Sequence, residues 1–430
     1  MSQATPAVPA PQNPLTPAAP LVPTSGGERI VSIDVLRGVV LLGILVMNIP
    51  FMGWPEAWAM DGPRFADDTP LALGLWFVAD VFTNMKMMSI FSLLFGAGVV
   101  MVADRAIAAG RPPAKLHYKR MGWLLAIGLV HAFLMWYGDI LVGYALIGSI
   151  VYLLRRLPIR WLVAAGSASL MVSLLATLAF AGLFALWKQG DPSGYAEFDF
   201  YETALIPGEI EAYRGGPGAQ FQVRWPSALA FILFIGPMMF YWWSGGMMLL
   251  GMAAMKARVI TGARSSGFYA AMLGVGFGIG LPLASGLAWL KIQPSSGDGV
   301  HAMLMFAAHY VPTVFMVCGW VGLVLLLCKQ PWFAKLTYPL SCVGRMALTN
   351  YLAQTLLVTL IFYGHGLGYF AKLERPAMYA IVLGVWTLQL IWSPLWLACF
   401  RFGPMEWVWR SLTYLRLEPM RKRAASGGGA

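Results

Sequence analysis

In the segment His131-Ala-Phe-Leu-Met-Trp-Tyr-Gly-Asp139-Ile-Leu-Val-Gly-Tyr144, an imidazole and a carboxylate flank a turn-forming glycine. Such a pair can take a proton from a hydroxyl or amine. The carboxylate fixes the tautomer of the ring, and the other ring nitrogen acts as base. With Gly138-Asp139 read as a tight external turn, His131 falls about 10 Å beneath that surface at about 1.5 Å per helical residue. The spacing matches no triad motif, and a lone histidine in an apolar helix also serves as a hydrogen-bonded packing residue.

Three cations stand against apolar background. Arg37 lies in Ser32-Ile-Asp-Val-Leu-Arg-Gly, on a stretch that also carries Asp34 and Asn48. At about 100° per residue, Arg37 and Asn48 share a direction to within about 20° and Asp34 is about 60° away, which makes one polar stripe on an apolar helix. Lys86 opens Lys86-Met-Met-Ser-Ile-Phe-Ser-Leu-Leu-Phe-Gly-Ala-Gly98. A buried ammonium there needs a carboxylate, a water-filled cavity or an anionic ligand, and Asp80 is the nearby carboxylate; snorkelling to the external interface is the alternative. Arg345 begins Gly344-Arg-Met-Ala-Leu-Thr-Asn350-Tyr-Leu-Ala-Gln354, where Asn350 and Gln354 form an i,i+4 interior polar pair. Arg37 and Arg345 together suit a cytoplasmic-side phosphate or other anion. Membrane anchoring explains each arginine separately.

Other polar groups carry less. His309 lies near an external helix end, His301 and His365 read as loop residues, and His117 belongs to a basic stretch. No histidine–carboxylate spacing suggests a metal, and Cys318, Cys328, Cys342 and Cys399 form no CxxC pair. The glycine run 274–280 sits mid-block with no preceding strand, so helix packing is the better reading than a nucleotide loop.

The elements that must hold these groups follow from composition. Of 430 residues, 59% are hydrophobic and 11% charged, against about 25% charged in soluble proteins. The net charge of +11 is spread over short loops rather than one nucleic-acid-binding patch. Ten apolar blocks of roughly membrane-spanning length run at 33–53, 71–103, 118–136, 139–155, 159–186, 227–254, 268–290, 302–328, 343–363 and 378–400. Helix is the expected state, since lipid tolerates no open sheet edge and no period-two alternation appears. The block 71–103 is too long for one crossing, and Asn84 and Lys86 interrupt it. Leu71–Thr83 is therefore expected as an interfacial or re-entrant helix before a crossing at Met87–Ala103. With the N-terminus inside, cytoplasmic segments hold 20 of the 30 Lys/Arg residues and the opposite loops seven. Both termini are thus expected in the cytoplasm.

The expected organisation is a Pro/Ala-rich disordered tail at 1–27, a polytopic domain at 28–415 and a basic tail at 416–430. The external loop 187–226 carries Glu197, Asp199, Glu202, Glu209 and Glu211 among Tyr195, Phe198 and Tyr201, and reads equally as a lid helix or a solvated connector. Pro404 suits the start of a last, interfacial helix with Glu406–Arg410 as an i,i+4 pair.

Two motifs are specific: Gly344-Arg-Met-Ala-Leu-Thr-Asn-Tyr-Leu-Ala-Gln354 and Phe402-Gly-Pro-Met-Glu-Trp-Val-Trp-Arg-Ser-Leu-Thr-Tyr414. With Asp34…Arg37-Gly38…Asn48, Phe91–Gly98 and Trp136-Tyr-Gly-Asp-Ile-Leu141, they resemble the YeiB-like family of bacterial inner-membrane proteins. That family is in turn similar to transmembrane acyltransferases such as the lysosomal heparan-glucosaminide acetyltransferase. The resemblance implies a ten-helix bundle moving an acyl group from cytoplasmic acyl-CoA, for example acetyl-CoA, to a glycan or small-molecule acceptor across the membrane. In this reading Arg37, Arg345 and Lys86 meet the donor while His131 and Asp139 activate the acceptor. The rivals are a transporter of a small anionic solute and a non-catalytic membrane partner; oligomeric state, a homo-oligomer included, stays open.

Overall fold

The computed structural model describes residues 30–60, 69–196, 204–293 and 299–422. The expected tail at 1–27 lies outside them, as do Glu197, Phe198, Asp199, Tyr201 and Glu202. Among the described residues the chain is all α-helical, with a lone bridge between Phe400 and Arg421 as its sole extended pairing.

Each apolar block becomes helix. In chain order these are α1 (Val31–Gly53), α2 (Glu56–Met60), α3 (Pro70–Phe82), α4 (Lys86–Ala108), α5 (Pro113–Leu134), α6 (Leu141–Val151) and α7 (Ile159–Gly190). There follow α8 (Ile206–Arg214), α9 (Pro217–Ala230), a π-helical segment (Phe231–Phe240), α10 (Tyr241–Lys256), α11 (Ser266–Ile292), α12 (Gly299–Ala308) and α13 (Tyr310–Leu327). The chain ends with α14 (Ala334–Arg345), α15 (Ala347–Phe362), α16 (Arg375–Cys399) and α17 (Pro404–Tyr414). Among the described residues, seven spans are long and apolar enough to cross a membrane, with α3–α4, α9–α10 and α12–α13 each counted as one. The apolar α6 and α15 are shorter, and α5 is 22 residues long with basic residues in its first half. Together these account for the ten blocks.

The layers follow from burial. The most apolar 18-residue stretch of α1 is 67% buried, whereas those of α7, of the continuous span from α9 to α10 and of α11 are 17% buried. Helix α7, the π-helical segment and α11 turn long apolar faces outward, while α10 is mostly buried. In water such faces would drive aggregation; in lipid they are the solvated surface. Helix α1 is the central post. At Gly38 and Gly344 its backbone meets that of α14: a Cβ on Gly344 would overlap the Asp34 carbonyl oxygen, so only glycine permits this approach. Gly96 makes the same contact with the Met248 backbone, so it packs helices.

The block 71–103 breaks where expected. Thr83–Met85 separates α3 from α4, and Met85 adopts φ 59°, a left-handed conformation that ends one helix before the next begins. The connection between α5 and α6 departs from expectation. The Trp136 indole donates to Phe51 O at the far end of α1 (3.3 Å), but the chain then folds back. By Val142 it is level with Gly128, where an added Cβ would come within 2.7 Å of the Val142 nitrogen. Gly138-Asp139 is therefore no external surface turn. It returns into the bundle, α6 starts deep, and its short length follows, since neighbouring helices supply the cover that lipid cannot.

The described residues after α7, 191–196 and 204–230, are largely helical. Helix α8 is tied to the α15–α16 connection by Gly364 N to Tyr213 O (2.8 Å) and Arg214 Nε to Phe370 O (2.8 Å), forming a cap over that end of α1. At the other end, residues 416–422 pack back on the bundle: Arg401 N bonds Met420 O (2.9 Å) and the Trp407 indole bonds Glu418 O (2.6 Å).

Candidate functional site

The reversal between α5 and α6 brings Asp139 to the level of His131, and both side chains are 1% exposed. Asp139 Oδ1 accepts from Val142 N (2.7 Å), which caps α6, and Oδ2 lies 2.7 Å from His131 Nδ1. A carboxylate can only accept, so Nδ1 carries the proton. The neutral ring then offers the Nε2 lone pair, and Thr355 Oγ1 on α15 stands 2.9 Å from it. Gln354, next to Thr355, bonds Leu41 O (3.3 Å) near the middle of α1, so the unit lies near mid-bundle, deeper than expected. Tyr351 packs its ring against His131 with centroids 5.1 Å apart. The sequence signals His131 and Asp139 but not Thr355. A threonine in an apolar helix carries no mark until the partner helix is placed.

The three cations separate. Arg37 pairs with Asp34 (3.0 Å) and reaches Gly344 O (3.4 Å), beside Arg345. The Arg345 Nε is buried with no hydrogen-bond partner among the described residues. Two further arginines join this end. Arg120 stacks over Trp409 (4.3 Å) within electrostatic reach of Arg37 and Arg410, and the Arg410 Nε is also buried and unpartnered. Burial lowers the Arg410 pKa from its ordinary value, against the opposing influence of Tyr414 and Glu418. The Glu406–Arg410 pair does not form. Glu406 instead accepts from Leu348 N (2.6 Å), Thr349 N (3.1 Å) and Thr349 Oγ1 (2.5 Å), capping the N-terminus of α15. A helix start offers unpaired N–H groups and a positive dipole end, which outcompete a surface ion pair.

Lys86 belongs elsewhere. It is fully buried and donates to the backbone carbonyl of Asp80 (2.8 Å), not to its carboxylate. That carboxylate accepts from Asn84 (2.7 Å) and Lys291 (3.3 Å) and faces His309 Nε2 at 3.0 Å. His309 Nδ1 donates to Met305 O (2.7 Å). The Nε2–carboxyl contact is thus served by one further proton, on the ring, on the carboxyl or contributed by Lys291, 3.4 Å from Nε2. The acid and its cations come from α3, α4, α11 and the α12–α13 junction, a grouping that separation in sequence conceals.

The remaining polar residues make seams. Asn350 donates to Val343 O (3.1 Å) and Ser393 (3.0 Å) and accepts from the Trp392 indole (2.7 Å). Gln354 bonds Gln389 (3.0 Å), which bonds Asn350 O (2.8 Å). These satisfied amides join α15 to α16 and α1. Asn48 is half-buried on α1. His117 is a buried residue of α5 stacked on Tyr152 (4.2 Å), and His301 falls within α12. At the α8 cap, Glu209 accepts from Glu56 N (3.2 Å). Burial, aided by the Glu56 charge, pushes its carboxyl up to about 7.

These features define a polytopic all-α membrane protein with a carboxylate–imidazole–hydroxyl unit buried in mid-bundle and a group of arginines at one end, two of which have a buried Nε without a hydrogen-bond partner among the described residues. The family model described as "Protein of unknown function (DUF418)" matches residues 254–416. The "Uncharacterized protein YeiB" of Escherichia coli (strain K12) is 33% identical over 394 residues, covering 90% of this chain and 96% of that protein. YxaH of Bacillus subtilis (strain 168) is 32% identical over 420 residues, covering 94% and 98%. The chain belongs to this YeiB-like DUF418 family of bacterial proteins. The family model takes in Arg345, Thr355, Glu406 and Arg410, and the long matches extend the likeness to most of the chain.

Proposed function

We propose that this protein is a membrane acyltransferase that passes an acyl group from cytoplasmic acyl-CoA to a hydroxyl or amine acceptor at the external face. The observation that carries this reading is the orientation of His131, whose Nδ1 is held by Asp139 so that Nε2 points its lone pair at a hydroxyl. That is the arrangement of a general base. The cluster of Arg37, Arg120, Arg345 and Arg410 supports it, because the donor carries phosphates and guanidinium groups bind phosphate well. Lys86 leaves the donor site in this reading. The basic loops support an inner-membrane orientation with both termini cytoplasmic.

The test is release of free CoA by purified protein supplied with acetyl-CoA and a panel of sugar, lipid and amine acceptors. Release dependent on an acceptor is expected, as is calorimetric binding of acetyl-CoA weakened by Arg345→Ala and Arg410→Ala. Absence of both binding and release removes the acyltransfer reading.

A transporter of small anionic solutes is the second reading, favoured by the group of buried Asp80, Lys86 and His309 with the partly exposed Lys291, which joins four elements around a labile proton. Proteoliposomes that accumulate an anion under a proton gradient, and lose this with Asp80→Asn, would support it over acyltransfer.

A further inference from the structure

We infer that Thr355 is the nucleophile of this site and carries the acyl group as a threonyl ester between two half-reactions; this rests on the acyltransfer reading. The first ground is the hydroxyl's commitment. Thr177, Thr387 and Thr413 donate to the carbonyl four residues back, at 2.9, 2.8 and 2.7 Å, the usual habit of a helical threonine. Thr355 does not. Its single side-chain hydrogen bond among the described residues is the 2.9 Å contact to His131 Nε2.

The second ground is tautomer. With Nδ1–H donated to Asp139 Oδ2 at 2.7 Å, the neutral ring can only accept at Nε2, so the Thr355 proton points at a base. Carboxylate, imidazole and hydroxyl thus stand in the order that activates an alcohol in acyl-transfer enzymes of unrelated folds. The third ground is position. Thr355 is fully buried, and lies eight residues into α15, about 12 Å along that helix from its start beside Arg345 at about 1.5 Å per residue. A thioester arm whose phosphates rest on the arginine group points its reactive end inward toward Thr355. An acceptor base with no nucleophile of its own would have no need of a dedicated protein hydroxyl on Nε2.

The balance is simple. Thr355 Oγ bonds to the thioester carbonyl carbon while its proton passes to His131 Nε2. The tetrahedral adduct collapses, the C–S bond breaks, and the departing sulfur takes that proton to leave as CoA thiol. In the second half, an acceptor O–H or N–H gives its proton to Nε2 and its heteroatom attacks the ester carbonyl. The bond to Oγ breaks, and Thr355 regains the proton. Nothing is oxidised or reduced.

The experiment incubates the purified full chain with acetyl-CoA, and separately with p-nitrophenyl acetate, without acceptor. Mass spectrometry then seeks one acetyl on the peptide that contains residues 347–362. A hydroxylamine-labile acetyl on Thr355 is expected from both donors, with CoA released in a burst of one equivalent. Thr355→Ser should keep the label, while the isosteric Thr355→Val should lose it and lower turnover more than about 10²-fold. Label from the nitrophenyl ester but not from acetyl-CoA keeps Thr355 as nucleophile and overturns the CoA reading. Acceptor-dependent CoA release at the wild-type rate in Thr355→Val overturns this inference and leaves acyltransfer standing. No label from either donor, or label on another residue alone, overturns it as well.

Discussion

At the residue scale, the protein is governed by where single polar groups find partners in an apolar medium. His131 and Asp139 are both buried, and each is satisfied only by the other and by one further group. Asp139→Asn is the discriminating change. The amide oxygen can still accept from Val142 N, so α6 keeps its cap, but the carboxylate that holds Nδ1–H is gone. Turnover should fall by about 10²–10⁴-fold, the usual range for losing oriented acid–base catalysis, with little change in melting temperature. A large drop in melting temperature would instead mark Asp139 as a folding residue. Glu209 offers a pH test. Its carboxyl is raised to about 7 in the folded protein from an ordinary value near 4.5, so the folded state holds the proton more tightly. Its stabilising contribution is complete below the ordinary value and is lost as pH rises through about 7. Thermal stability of the wild type should decline between those limits, and that of Glu209→Gln should be flatter. Identical slopes would separate Glu209 from the effect.

At the scale of elements, two devices hold the site. The first is the close crossing of α1 and α14 at Gly38 and Gly344, which sets Arg37 against the α14 carboxyl end. Gly344→Ala drives a methyl group into backbone that cannot rotate aside. It should destabilise by about 1–3 kcal/mol or more, read as a lower melting temperature in detergent and weaker acyl-CoA binding. The second is α17, which touches both helices of the His131–Thr355 contact: Glu406 caps α15, and the Trp409 indole donates to Arg120 O on α5 (2.9 Å). Glu406→Ala leaves two backbone N–H groups and the Thr349 hydroxyl unsatisfied, at about 1–3 kcal/mol, whereas Glu406→Gln keeps an acceptor and should lose less. Equal losses would point to charge rather than hydrogen bonding. The expected Glu406–Arg410 pair rests on spacing within one helix. Its failure shows that a neighbouring helix start offers the carboxylate better partners.

Over the whole molecule, apolar faces point outward on α7, the π-helical segment and α11 while α1 is enclosed, the inverse of a water-soluble bundle. The basic-residue bias then sets a direction across the membrane. Single cysteines placed at Lys115 and Lys372, in a background lacking Cys318, Cys328, Cys342 and Cys399, should respond oppositely to an impermeant maleimide. Intact cells should label position 372, and position 115 only after permeabilisation. The reverse pattern would invert the topology and place the arginine group on the external side.

The sequence by itself determined the all-helical membrane class, the ten blocks and the break near Asn84–Lys86, and it marked His131, Asp139, Arg37 and Arg345 as candidates. Each is written in local composition: apolar runs of membrane length, or an ionisable residue that such a run would otherwise exclude. Tertiary structure decided what those residues meet. It turned Asp139 inward because the α5–α6 connection folds back. It moved Lys86 into a group with Lys291 and His309, and brought Arg120 and Arg410 to Arg37. It also gave His131 the Thr355 hydroxyl, 224 positions away in the chain. Such contacts depend on which helix faces are opposed and at what depth, and helical periodicity marks a face without naming its neighbour.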